Sequence, residues 1–151
     1  MTKGSPVKPK VYIASAIDED ITRGKNVREH FRMLVEECGC EALGAGFAGN
    51  PIIPTESPRE VCKSIIRQDL MEQGKAHVTL AITNRKTFAV GTWIEVWEGY
   101  KLGQYIIIYV YDHNEVPSIF LKGIADEIIY DRNMGEQLLR DILESLALKV
   151  K

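Results

Sequence analysis

FAVGTWIEVWEGYKLGQYIIIYVY, residues Phe88 to Tyr111, runs from a glycine turn through a short helix into a wholly apolar strand. Thr92 is expected as the helix N-cap and Gly103 as the residue just past the helix end. Tyr105 to Val110, with no polar alternation, is expected as a strand buried on both faces, which is how strands of a parallel sheet read. Glu95 then falls in the first turn of the helix, at the edge of the sheet. Ligands of open α/β sheets bind in the crevice at the carboxyl ends of the strands, so a carboxylate there can face a substrate. The competing reading is a capping box, T-x-x-E, in which Glu95 only satisfies a free backbone N–H behind Thr92.

The rest of the chain supports one domain built around that unit. Its 151 residues suffice for a single core. A formal charge of −2 gives no pull toward nucleic acid polymers or acidic membranes. The longest apolar run is too short to span a membrane, and Met1 to Lys10 is polar with no signal-peptide core. These features point to the cytoplasm, with residues 1–10 as a flexible leader and 11–151 as the folded domain. Cys38, Cys40 and Cys62 lack C-x-x-C spacing, which argues against a disulfide framework or a zinc site and for reduced, partly buried thiols.

Val11 to Ser15 suits the first and central strand, and the small Ser15 and Ala16 that close it let a ligand approach the backbone. Asp18, Glu19 and Asp20 precede a helix expected over Arg23 to Cys38, with Val27, Phe31, Leu34, Val35 and Cys38 on one face. The acidic triplet reads as a solvated helix start rather than a metal site. A short strand at Cys40 to Leu43 leads into a glycine- and proline-rich loop. Ser57 as cap and Pro58 in the first turn begin a helix running to about Gly74, with Val61, Ile65 and Leu70 among its apolar positions. Asp69 rides on that helix, and taken alone it reads as a solvent-facing charge beside Arg67 or Lys75. His77 to Thr83 returns to the sheet. Ser118 to Ala125 forms a turn of helix, Glu127 to Tyr130 the last strand, and Gly135 to Leu148 an amphipathic helix with Leu138, Leu139, Ile142, Leu143 and Leu146 inward. Strands and helices alternate throughout, so the expected fold class is α/β, a single-domain doubly wound, flavodoxin- or Rossmann-like, five-stranded parallel sheet of order 2-1-3-4-5.

VYIASAI at the start, QDLMEQGKAHVTLAI in the middle and GTWIEVWEGYKLGQYIII after it resemble the nucleoside 2-deoxyribosyltransferase superfamily, which includes the deoxynucleoside 5′-monophosphate N-hydrolases. The similarity spans about Val11 to Asp126, and its most specific piece is the G-T-x-x-E block that begins at Gly91. The resemblance implies that Glu95 is a nucleophile, Asp69 an acid/base or orienting carboxylate, and Tyr12 a residue that positions the glutamate. It sets Ser15, Ala16, Ala89, Gly91 and Ser118 against the substrate, a nucleoside or nucleotide, and it requires neither metal nor organic cofactor. SIFLKGIAD, from Ser118 to Asp126, is similar to the hydrolase segment that lends a serine to the neighbouring subunit's site, which implies hydrolysis and a homodimer.

The chain also departs from the pattern. Ala89 stands where transferases tend to carry an aspartate that helps hold the base and hydrolases a serine that helps hold phosphate. His77 stands where an aspartate commonly leads the strand, and the loop after the first strand lacks the glycine-rich, arginine-bearing pattern of the phosphate-binding hydrolases, for which Arg23 and Lys25 compensate only if the loop folds back. The expected activity is therefore cleavage of an N-glycosidic bond, with the sugar passed to water or to a second base; the alternative is a non-catalytic nucleotide-binding or sensor module of the same fold. Breaking a C–N glycosidic bond develops positive charge at the anomeric carbon, which a carboxylate can stabilise or capture. Trp93 and Trp97 flank the glutamate in sequence, and each reads either as core packing or as a surface against a base.

Overall fold

The structure, a computed structural model, describes residues 7–15, 21–44, 57–83, 90–111, 119–132 and 134–149. Five strands, β1 (Lys10–Ser15), β2 (Glu41–Leu43), β3 (Val78–Thr83), β4 (Tyr105–Val110) and β5 (Glu127–Tyr130), form one parallel sheet in the order β2-β1-β3-β4-β5. Helices α1 (Ile21–Glu37), α2 (Arg59–Gln73), α3 (Val90–Lys101), α4 (Ile119–Ile124) and α5 (Gly135–Lys149) alternate with them. This is the α/β doubly wound architecture and the strand order expected from the sequence. Lys10, the last residue of the expected leader, opens β1, and its backbone N–H donates to His77 Nδ1 at 2.9 Å. His77 thus receives the strand's first amide at the entrance to β3.

Alternation along β1 divides the core. Val11 and Ile13 pack with Phe31, Leu34 and Val35 of α1 and with Leu139 and Leu143 of α5. Tyr12 and Ala14 point to the other face, toward Val96 of α3, Ile106 and Ile108 of β4 and Leu121 of α4. Residues Tyr12, Thr79 and Ile106 stand side by side across β1, β3 and β4. On α5 the inward stripe is narrower than expected: Leu139 and Leu143 are fully buried, whereas Leu138 is 49 % exposed, because it lies one step round the helix from the sheet.

The two ends of α3 differ in how well the residues foretell them. Its C-terminus is a Schellman motif: Gly103, at φ +73°, sends its N–H to Tyr100 O at 3.1 Å, and Gln104 N–H reaches Gly99 O at 3.0 Å. Its N-terminus lies upstream of the expected cap. The helix already includes Val90, so Thr92 is a buried interior residue whose Oγ1 has no hydrogen-bond partner among the described residues, and Glu95 sits in the second turn. The capping box is thereby excluded. The cap expected at Ser57 is also absent, since Pro58 occupies the N-cap position of α2 without a side-chain bond.

Helix α2 is inverted relative to an ordinary amphipathic helix. Its buried residues are Asp69 and Gln73, while Val61, Ile66, Leu70 and Met71 are exposed. Its inward face therefore meets the sheet through polar groups rather than through apolar packing.

Candidate active site

Tyr12, Asp69 and Glu95 come from β1, α2 and α3 and converge. The Tyr12 hydroxyl donates a hydrogen bond to the Glu95 carboxylate, and both lie within electrostatic reach of Asp69. Asp69 is 5 % exposed and forms no solvent pair with Arg67 or Lys75, so the surface-charge reading of it is overturned. Glu95 is half-buried as a residue, its carboxyl group being the deep part.

Burial of that kind disfavours the charged form, and the nearby charge of Asp69 adds to it at Glu95. Asp69 is pushed up to about 6, chiefly by burial and then by the Glu72 charge, with Arg28 opposing. Burial pushes Glu95 higher, to about 8, with the Asp69 charge adding and the Tyr12 hydrogen bond and Arg28 opposing. Of the two carboxyls, the one expected to remain ionised thus has the greater affinity for a proton in the free protein. The reason is depth. Tyr12 itself is pushed far above the ordinary phenol range by burial and by Glu95, so it is a hydrogen-bond donor at any working pH. The two carboxyls form a coupled system whose two titration steps belong to the pair.

A polar network fixes the helices that carry the pair. Gln73, one turn beyond Asp69 on the same face of α2, donates from Nε2 to the backbone carbonyl of Glu95 at 2.6 Å and to Thr79 Oγ1 at 3.1 Å. Thr79 Oγ1 donates to Gln104 Oε1 at 2.6 Å, and Gln104 Nε2 donates back to Gln73 O at 2.6 Å and to Ala76 O at 3.1 Å. Gly99 makes room for this: a Cβ there would lie 2.6 Å from Thr79 Oγ1 and 3.0 Å from Gln104 Oε1.

Sequence reasoning missed Arg28. It is fully buried on α1 and interacts electrostatically with both Glu95 and Asp69, while Nη1 donates to Ser15 Oγ at 3.5 Å. The signal was present, since Arg28 interrupts the inward stripe that continues through Phe31, Val35 and Cys38. Of the other expected site residues, Ser15 closes β1 beside Arg28, and Gly91 is exposed on α3, with no atom among the described residues within 4 Å of where a Cβ would stand. Ala16, Ala89 and Ser118 lie outside the described residues, as do the Asp18 to Asp20 triplet and the backbone of the 45–56 loop. Among the described residues no group of three His, Cys, Asp or Glu side chains is placed to hold a metal ion. Cys38 and Cys40 are buried free thiols, with Cys40 pushed up to about 11 by burial, which leaves it a packing residue.

Trp93 packs against the cluster containing Tyr12 and Val96. Trp97 faces outward, stacks on Tyr100 at 5.5 Å between ring centroids and meets Phe120 of α4 at 5.4 Å. A separate open cleft of about 650 Å³ runs between the β2 edge and α2; Lys63, Arg67 and Lys75 line it with Glu41, Glu60 and Glu72, and it includes none of Tyr12, Asp69 and Glu95. Among the described residues no helix is long and apolar enough to cross a membrane.

No family model matches the sequence, and no curated protein matches it. Solved structures do match the fold. A 2-deoxyribosyltransferase from Bacillus psychrosaccharolyticus superimposes with a TM-score of 0.68 at 16% identity, over 89% of this chain and 90% of that one. A CMP N-glycosidase from Clostridium botulinum gives 0.56 at 18% identity, over 93% and 98%. A signal receiver domain of a Luxo repressor protein from Vibrio parahaemolyticus gives 0.50 at 14% identity, over 95% and 92%. The fold likeness thus includes the enzymes whose motifs the sequence resembles, and it extends to a domain of a different kind.

Proposed function

We propose that this protein cleaves the N-glycosidic bond of a nucleoside or its 5′-monophosphate, a 2′-deoxyribose one by preference. The observation that carries the reading is the meeting of Tyr12, Asp69 and Glu95, from three elements, at one polar site lined by two coupled carboxyls. In the first step a Glu95 carboxylate oxygen bonds to the anomeric carbon as the C–N bond breaks, and the bonding electrons leave on the base nitrogen. Asp69 gives its proton to the departing base. In the second step water, or the nitrogen of an incoming base, attacks the anomeric carbon, Asp69 accepts its proton, and Glu95 leaves as a carboxylate. This is the two-carboxylate logic of retaining glycosidases.

The coupled titration suits that sequence. The reactive arrangement has Glu95 ionised and Asp69 protonated, which is one arrangement of the singly protonated pair. In the free protein the proton favours Glu95; positive charge developing on the sugar favours its transfer to Asp69, where the leaving base needs it. Tyr12 holds the glutamate oxygen through both steps.

Ser118 inclines the reading to hydrolysis of a monophosphate, with the serine serving a partner's pocket in a homodimer. Ile119, 89 % exposed, and the outward Trp97, Tyr100 and Phe120 are apolar surface suited to a second copy of the chain. Chromatography of a panel of deoxynucleosides and deoxynucleoside monophosphates, with and without an acceptor base, tests the function. Release of free base from a monophosphate without acceptor is the expected result. A requirement for a second base would make the protein a transferase.

A second reading, a non-catalytic nucleotide-binding or sensor module, is supported by Ala89, by His77 and by the likeness to a signal receiver domain. Such a module would raise its melting temperature with a nucleotide and release no base over long incubation.

A further inference from the structure

Arg28 is 2 % exposed, at a helix position that the packing pattern assigns to an apolar side chain. Its Nε and Nη2 are buried and find no hydrogen-bond partner among the described residues, and Nη1 has only the long bond to Ser15. A buried cation left so poorly solvated is costly unless other charges answer it. The charges that answer are Glu95 and Asp69. Arg28 is carried by α1, which packs on the Val11 and Ile13 face of β1, and Glu95 by α3, which packs on the Tyr12 and Ala14 face; Ser15, at the carboxyl end of β1, bonds the guanidinium, whose charge interacts with both carboxyls.

A guanidinium pressed against the sugar would oppose the positive charge that cleavage develops there, so its service to the reaction runs through the carboxylates. We propose that Arg28 is a positioning residue of this site, whose buried guanidinium, tied to Ser15, balances the charge of Glu95 and Asp69 and keeps one carboxylate anionic for attack. The proposal rests on the reading of Glu95 as nucleophile. Among the described residues, the titratable groups facing the pair are Tyr12 from β1, Glu72 from α2 and Arg28 from α1. Arg28 is the cation of that set.

The test uses the full chain with Arg28→Met and Arg28→Lys. Carbon-13 NMR of labelled glutamate carboxyls, with the Glu95 signal assigned by its loss in Glu95→Gln, reads the titration without turnover. The Glu95 midpoint should rise by about one unit or more in Arg28→Met and by less than about half that in Arg28→Lys. Both limbs of the pH profile of base release should move up with it, so that activity falls roughly fivefold at pH 6 and does not fall at pH 8. A folded Arg28→Met with an unmoved Glu95 midpoint overturns the proposal. So does a rise in KM confined to phosphorylated substrates with unmoved limbs, which would make Arg28 a contact for a substrate anion. If Arg28→Met does not fold, Ser15→Ala loosens the tether: a smaller upward shift is expected, and none refutes the claim. Failure of the wild type to release any base removes the proposed function while the carboxyl titration still decides the role of Arg28.

Discussion

Gln73 Nε2 donates to the backbone carbonyl of Glu95 at 2.6 Å, so the helix that carries Asp69 is joined to the helix that carries Glu95 at the residue whose side chain enters the site. Asp69 and Gln73 are one turn apart and are the buried residues of α2. The separation of the two carboxyls is therefore set by a buried side chain and by the Thr79–Gln104 pair behind it.

The first prediction follows from that joint. Gly99→Ala forces a methyl against Thr79 Oγ1 and Gln104 Oε1 and should lower stability by about 1–3 kcal/mol. Gln73→Ala strips a partner from the part-buried Glu95 carbonyl and from the buried Thr79 hydroxyl and should cost a similar ~1–3 kcal/mol. Urea denaturation measures both. Each variant should also lose activity at temperatures where it remains folded, because the carboxyls lose their fixed spacing.

The pair's coupled titration predicts a bell-shaped pH profile. Below about 6 both carboxyls are protonated and the nucleophile is lost; above about 8 both are ionised and the acid is lost. Base release should peak between those limits. A rate that keeps rising beyond pH 9 would show that Asp69 gives no proton to the base.

Stability should move the other way. Asp69 and Glu95 titrate near 3.8 and 4.5 without the fold and at about 6 and about 8 within it, so the folded protein binds the extra protons. Their favourable contribution is complete below about pH 4 and is lost as pH rises through 6 and then 8. The melting temperature should therefore decline over that range. Glu95→Gln should flatten the upper part of the decline and melt above the wild type at pH 9, a trade of stability for function.

Assembly can be tested by complementation. If Ser118 serves the partner's pocket, mixing inactive Glu95→Ala with inactive Ser118→Ala should restore activity in mixed dimers. A fully active monomer in sedimentation, or no recovery on mixing, would place the whole site in one chain.

Much of the fold was legible because its signals are local. The apolar run Tyr105 to Val110 has no polar alternation and became the β4 strand without change, and Gly103 marks the end of α3 because a left-handed residue is needed there. The start of α3 differs from the expectation because Thr92, a good cap by type, is buried within a helix already under way at Val90. Asp69 and Glu95 stand out in the sequence through their motifs. The raised proton affinity of Glu95 and the place of Arg28 beside it do not, since both depend on depth and on elements distant in sequence being brought together. Helix α2 misled for the same reason: its apolar residues look inward in one dimension, but its polar face is the buried one.

The central claim is that Glu95 attacks the sugar, and the most direct measurement compares base release by the wild type and Glu95→Ala on the best deoxynucleoside or deoxynucleotide of the panel, at the pH optimum and with both proteins shown to be folded. The account predicts that the variant loses at least about a thousandfold in kcat. Release by Glu95→Ala at the wild-type rate would contradict it.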